Sequence, residues 1–339
     1  MTPENTFHPD DNGIRTRGIF GLPYAPDEAQ LIIIPAPWEV TVTSRRGTAH
    51  APQKIIETSP EIDLYFHPYG EPWKAGIATV PFPESDYQTN LQLRTIVEEI
   101  YLQIRQGKEP SDIPTIQWID QENQGYLQRL QLHIRQWHDH GKIIGLIGGE
   151  HSIALAGMRA AIDRYPKLGV LQIDAHADLR TQYLGLTTSH ASVFRRLIEH
   201  APEVTLVQVG LRDVSVGEKQ TIDQFPNIHA HFARDIHRQI CQDNCGYALI
   251  QRIIAPLPEN VYISFDIDGL DIGYCPHTGT PVPGGISFRY AVMLIEAIVE
   301  SGRRIVGFDL CEVGDNPLDI QIGVFTLFHL SNYTLLSNN

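Results

Sequence analysis

Val170-Leu171-Gln172-Ile173-Asp174-Ala175-His176-Ala177-Asp178 is the stretch from which the rest of the chain can be read. Its first part is a short apolar run, mostly β-branched or Leu, of the kind that forms a strand buried on both faces. Directly after the run, three ligand-type side chains follow at every second position. In extended backbone, residues i, i+2 and i+4 point to one side. Asp174, His176 and Asp178 are therefore expected to converge on one spot at the mouth of a sheet.

The same pattern recurs on either side. Short apolar runs bounded by Gly, Pro or a charge occupy Leu31–Pro35, Ile143–Ile147, Val204–Val209, Val261–Asp266 and Ile305–Leu310. Helical periodicity falls between them, at about Tyr87–Gln106, Gly125–His140, Ile153–Arg164, Ala191–His200, Tyr247–Ala255, Phe288–Ser301 and Ile320–Leu336. This alternation predicts a single α/β domain, three-layered with a largely parallel central sheet. Residues 1–27 read as a polar N-terminal arm and 28–339 as the domain. Lys108–Gln124 reads as an irregular surface insertion.

Two further runs end in ligand-type residues. Ser264-Phe265-Asp266-Ile267-Asp268 repeats the period-two acids, and Gly148-Gly149-Glu150-His151-Ser152 delivers His151 after a tight turn. Singly, each has an ordinary explanation as a helix cap, turn former or surface group. Together they place uncompensated charge on runs that should be buried, and coordination of a cation is the ready compensation. Four carboxylates and two imidazoles without a thiolate suit a hard or borderline divalent ion such as Mn²⁺, with Ni²⁺, Fe, Co or Zn left open. Six ligands are too many for one tetrahedral zinc, whereas two ions roughly 3.5 Å apart would use them all.

The motifs GGEHS (148–152), DAHAD (174–178), SFDIDGLD (264–271) and TGTPVPGG (278–285) resemble those of the ureohydrolase family of arginases, agmatinases and related guanidino hydrolases. The resemblance runs from about Leu31 to the C-terminal helix. It implies one ion held by His151, Asp174, Asp178 and Asp266, and a second held by His176, Asp174, Asp266 and Asp268. It also implies hydrolysis of a guanidino group to urea and an amine. His190, in Ser189-His190-Ala191-Ser192, matches the histidine that passes a proton to the departing amine, and Glu312 matches the carboxylate that pairs with the guanidinium. The chain departs from the family at Glu150, commonly Asp; at Ile272, commonly Pro; and at His277, near the expected pocket rim.

For the substrate, Leu179–Thr188 lacks the arginase Ser-Gly-Asn element and looks like the agmatinase form. That makes agmatine the leading expectation, ahead of guanidinobutyrate, guanidine, arginine and formimidoylglutamate. Arg180 reads first as an ion-pair residue and second as a carboxylate reader; Trp38 could narrow the pocket or sit in the core. A scaffold without activity and a one-zinc deacetylase of similar fold are the rival readings.

The formal net charge of −14 argues against nucleic acid or an anionic membrane as partner and suits a small cationic substrate. Four cysteines are too few for a disulfide framework, and the Cys241–Cys245 pair reads as ordinary thiols. The N-terminal residues do not form a signal peptide, and no apolar run of about 18 residues occurs. The expected setting is cytoplasmic, and the resemblance implies a homo-oligomer, a trimer or hexamer.

Overall fold

The computed structural model describes residues 7–10, 18–243 and 246–339. Each expected apolar run forms a strand, because β-branched residues bury well on both faces of a sheet covered by helices. The strands are β1 (Leu31–Ala36), β2 (Ile77–Thr79), β3 (Ile143–Gly148), β4 (Leu168–Ile173), β5 (Thr205–Leu211), β6 (Ile228–Phe232), β7 (Asn260–Asp266) and β8 (Arg304–Cys311). They pair in parallel throughout, in the order β2-β1-β3-β8-β7-β4-β5-β6. The two strands without a clear sequence signal, β2 and β6, are the edges. One has three residues, and the other places polar His229 and His231 between its apolar positions.

The helices are α1 (Ala51–Thr58), α2 (Glu84–Arg105), α3 (Thr115–Asp139), α4 (Ala154–Arg164), α5 (Val193–His200), α6 (Val216–Gln224), α7 (Ala233–Asp243), α8 (Gly246–Ile254), α9 (Phe288–Glu300) and α10 (Pro317–Leu336). Helices α1 and α7–α10 contribute to the core on one face of the sheet, and α2–α6 to the core on the other. The result is a single three-layer α/β domain.

Two expectations change here. Lys108–Gln124 is no irregular insertion. Ile113, Ile116 and Ile119 are buried, and most of the segment is the first turns of α3. The polar residues between them masked a helical stripe that continues into Tyr126 and Leu127. Within the expected arm, Ile19, Phe20 and Leu22 lie in the core, and Phe20 meets Phe328 edge-on at 5.3 Å. Residues 1–6 and 11–17 of that arm lie outside the described residues, as does Cys245 of the cysteine pair. Among the described residues, no helix is long and apolar enough to cross a membrane.

Three histidines away from the site make the fold sensitive to acid. Burial lowers His138, His231 and His329 each to about 4, helped by Arg164 at His138 and by His229 at His231. Unfolded histidine titrates near 6.5, so the unfolded chain takes up these protons first. Stability is therefore full above about pH 6.5 and falls as the pH drops toward about 4. His329 packs against Phe66, Phe288 and Tyr333, and its buried Nδ1 has no hydrogen-bond partner. His329→Phe keeps the packing and removes the titration. Denaturant unfolding of the metal-free chain should show the variant gaining on the parent as pH falls through that window; parallel curves would refute the assignment.

Candidate metal centre

The sheet order makes β3, β8, β7 and β4 its four central, contiguous strands. His151 follows β3, Glu312 follows β8, Asp266 ends β7 with Asp268 just beyond, and Asp174 follows β4. Ligands of open parallel sheets bind at such carboxyl ends. Register adds a buried polar row beneath them. Asp309 of β8 pairs with Ser264 of β7, Ser264 with Gln172 of β4, and Gln172 with Gln208 of β5. All four are fully buried.

That row orients the residues above it. His151 Nε2 lies 2.9 Å from Ser264 Oγ, which donates to Asp309 Oδ1 at 3.0 Å. With the serine proton committed to Asp309, Nε2 is the protonated nitrogen and Nδ1 keeps its lone pair. On the other side, Gln208 Nε2 donates to Gln172 Oε1 at 2.6 Å, and Gln172 Nε2 donates to Asp174 Oδ2 at 2.7 Å.

His151 Nδ1 faces Asp174 Oδ2 at 3.1 Å, Asp178 Oδ2 at 3.0 Å and Asp266 Oδ2 at 3.3 Å. It is buried and makes no hydrogen bond to any of them. An orphaned lone pair among three carboxylate oxygens fits a cation at their common centre. A second group lies alongside, with His176 Nδ1 3.1 Å from Asp268 Oδ2 and 3.5 Å from Asp174 Oδ1. The donor atoms of His151, Asp174 and Asp178 gather within 4.8 Å of one another, as do those of Asp174, His176 and Asp268. Asp174 is common to both groups; Asp266 stands beside the first rather than inside either.

The backbone differs from the expected extended run. Strand β4 stops at Ile173, and Asp178 has φ +52°, so it reaches the cradle from a left-handed turn. Glu312 has φ +61°. Non-glycine residues take this conformation at an energetic cost, and two of them lie together here.

Charge in the cradle is poorly compensated by the protein alone. Burial, then Asp174, pushes Asp178 up to about 7. Burial, then Asp268 and Asp174, drives Asp266 well above the usual carboxylate range, and burial with Glu150 does the same to Glu312. Burial raises and His151 and His176 lower Asp174, and the histidines prevail. Bound cations would relieve this repulsion.

A cavity of about 370 Å³ opens over the cradle, lined by His176, Arg180, Tyr183, His190, Asp213, Glu218 and Glu312 among others. Glu312 Oε1 accepts the His151 N–H at 2.9 Å. His190 is half-buried, and burial, then His176 and His151, lower it to about 3. Arg180 lines the cavity and is also engaged, 3.8 Å from Glu218 and 5.3 Å from the Tyr183 ring centroid. Trp38 does not narrow the pocket. It is buried, stacked on Tyr126 at 4.0 Å, with Nε1 donating to Asn123 Oδ1 at 3.0 Å. His277 binds Asp319 Oδ1 through Nδ1 at 3.0 Å and does not line the cavity.

Sequence reasoning missed Gln172, Gln208, Ser264 and Asp309 as supports, Asp213 beside His176, and Arg212, which donates to the carbonyls of Gly210, Asp268, Leu270 and Val282. A polar residue inside an apolar strand was the available signal for the first four.

The arginase-family sequence profile matches residues 29–322. The chain belongs to the arginase family. Among its relatives, an N(1)-aminopropylagmatine ureohydrolase of Thermus thermophilus is 29% identical over 88% of both chains, and an agmatinase of Bacillus anthracis is 26% identical over 85% of this chain and 84% of its own. The solved agmatine ureohydrolase of Thermoplasma volcanium shares the fold, with a TM-score of 0.67 and 24% identity over 92% of both chains. As a ureohydrolase of this family, the chain is a hydrolase acting on amidine carbon–nitrogen bonds.

Proposed function

We propose that this arginase-family hydrolase cleaves a guanidino compound with a cationic tail, of the agmatine class, to urea and an amine. His151, Asp174, Asp178 and Asp266 would hold one divalent ion, and His176, Asp174, Asp266 and Asp268 the other, with Mn²⁺ the first candidate. Bound there, the pair supplies Lewis acidity and lowers the pKa of water in the cradle. The homo-oligomer and the cytoplasmic setting belong to the same proposal.

The observation that carries the reading is Glu312. It is a buried carboxylate at the edge of the cradle, and its side chain accepts only a backbone N–H, with no lysine or arginine paired to it among the described residues. A guanidinium is planar and presents paired N–H donors, so it would complete that carboxylate with charge-assisted bonds. Hydrolysis then adds water at the guanidino carbon and breaks its bond to the amine. The departing nitrogen needs a proton, and His190 on the cavity wall is the imidazole available to carry it.

The cavity wall supports a cationic tail. Exposed Asp213, beside His176, and buried Glu218, which faces Arg180, put two carboxylates on that wall. Among the described residues that line the cavity, Arg180 is the one lysine or arginine, and its Nε stands 3.8 Å from Glu218. The names of the relatives also point to agmatine and N(1)-aminopropylagmatine.

The test is urea release by Mn²⁺-loaded protein against agmatine, N(1)-aminopropylagmatine, arginine, guanidinobutyrate and guanidine, with formamide followed for formimidoylglutamate. The two tail-cationic compounds should be turned over with the highest kcat/KM. A preference for a carboxylate-tailed compound would overturn the substrate class, and inactivity on all six would overturn the enzymatic reading.

A further inference from the structure

Thr41, in the loop after β1, is fully buried beside the cradle. Its N–H donates to Glu150 Oε2 at 2.7 Å, and its hydroxyl donates to the same oxygen at 2.8 Å. Ser152 Oγ donates to Glu150 Oε1 at 2.6 Å, so all three contacts treat Glu150 as an acceptor. Tyr101 OH donates to the Thr41 carbonyl at 2.8 Å and anchors the loop from α2.

The hydroxyl has one proton, and Glu150 takes it. What remains on Thr41 Oγ1 is acceptor capacity, and His190 uses it twice: its backbone N–H at 3.1 Å and its ring Nδ1 at 3.0 Å. A hydroxyl already donating elsewhere can meet Nδ1 only by accepting from it. Nδ1 therefore bears the proton, and Nε2 is the ring nitrogen left for chemistry in the cavity. Tyr183 holds the ring edge-on at 5.5 Å.

We propose that Thr41 and Glu150 are positioning residues that fix His190 as the Nδ1–H tautomer and present Nε2 to the substrate. The inference rests on the reading of His190 as the proton carrier. A free imidazole favours the opposite tautomer, so the contact selects the form that leaves Nε2 unprotonated and ready to exchange a proton. Glu150 acts one step removed, by fixing the direction of the Thr41 hydroxyl.

Thr41→Val removes the hydroxyl at nearly constant volume, and Thr41→Ser restores it. In the metal-loaded enzyme, Thr41→Val should lower kcat roughly 10- to 100-fold, at or below the lower end of general acid–base contributions, because the imidazole itself is kept. KM and the number of ions per chain should be unchanged, and Thr41→Ser should recover most of the rate. The second readout needs no activity: the ¹⁵N imidazole spectrum of metal-free protein, with His190 assigned by loss of its signals in His190→Asn. The parent should carry the proton on Nδ1, and Thr41→Val should move it to Nε2.

A parent spectrum with Nε2–H at His190 overturns the proposal, and so does an unchanged kcat in Thr41→Val. A fall in ion content that accounts for the lost rate would overturn it too, by making Thr41 part of the cradle's stability instead. Should Thr41→Val not fold, the parent spectrum still decides the tautomer. A parent that releases no urea but shows Nδ1–H at His190 supports the positioning and overturns the function proposed above.

Discussion

Asp174→Asn will leave the chain unable to retain two divalent ions. Asp174 is fully buried and belongs to both donor groups, so its loss weakens both together. The substitution does more than remove charge. Oδ1 accepts the His176 N–H at 2.6 Å and Oδ2 accepts Gln172 Nε2–H at 2.7 Å. Whichever way an asparagine amide is turned, its NH₂ meets one of those donors. The amide must rotate away or displace its neighbours, and either disturbs His176 or the Gln172–Gln208 pair. Loss of an outer-shell partner alone typically weakens metal affinity ~10- to 100-fold, and a shared ligand should exceed that range. Turnover should fall by roughly 1,000-fold or more, since bound ions supply several kcal/mol to such reactions. Metal analysis after dialysis checks it. Two ions still held per chain would remove Asp174 from the shared position.

Glu312→Gln should separate binding from stability. Glutamine keeps the shape and can still accept the His151 N–H, so the loop after β8 has no reason to move. Only the charge is lost. Removing one partner of a buried, hydrogen-bonded charge pair costs about 2–4 kcal/mol, or roughly 30- to 1,000-fold in kcat/KM for a guanidinium substrate. Stability should go the other way or stay level, because burial and Glu150 already push Glu312 well up and disfavour its charged form. A carboxylate kept where the unliganded fold resists it is a mark of a binding group. The measurements are kcat/KM, ions per chain and the unfolding midpoint. Unchanged kcat/KM, or a stability loss large enough to explain the kinetics, would contradict the assigned role.

Much of the site was legible because ligand-type residues interrupt apolar runs. Asp174, His176, Asp178, Asp266, Asp268 and His151 all stand at strand ends, where period and burial cost together mark them. Their supports were less visible. Gln172 and Ser264 look like tolerated polar residues within strands, and only pairing shows that they stand in register with Gln208 and Asp309. The α3 start was missed for a related reason: its apolar stripe is thin, and Asp120 and Asn123 face the loop that carries His190, Asp120 accepting from Thr188 N at 2.8 Å and Asn123 Nδ2 donating to Thr188 O at 3.3 Å. Trp38 and His277 show the converse. Suggestive by type and motif neighbourhood, they were placed by packing on Tyr126 and by Asp319.

By itself the sequence determined the α/β class and the donor set, because strand periodicity and the cost of burying charge are local properties of a short segment. The tertiary structure decided which donors share a centre. Residues more than a hundred positions apart meet only because β3, β8, β7 and β4 lie side by side, and strand order is set by long-range packing. It also decided the proton positions on His151 and His190, which depend on hydrogen-bond partners, Ser264 and Thr41, supplied by distant parts of the chain.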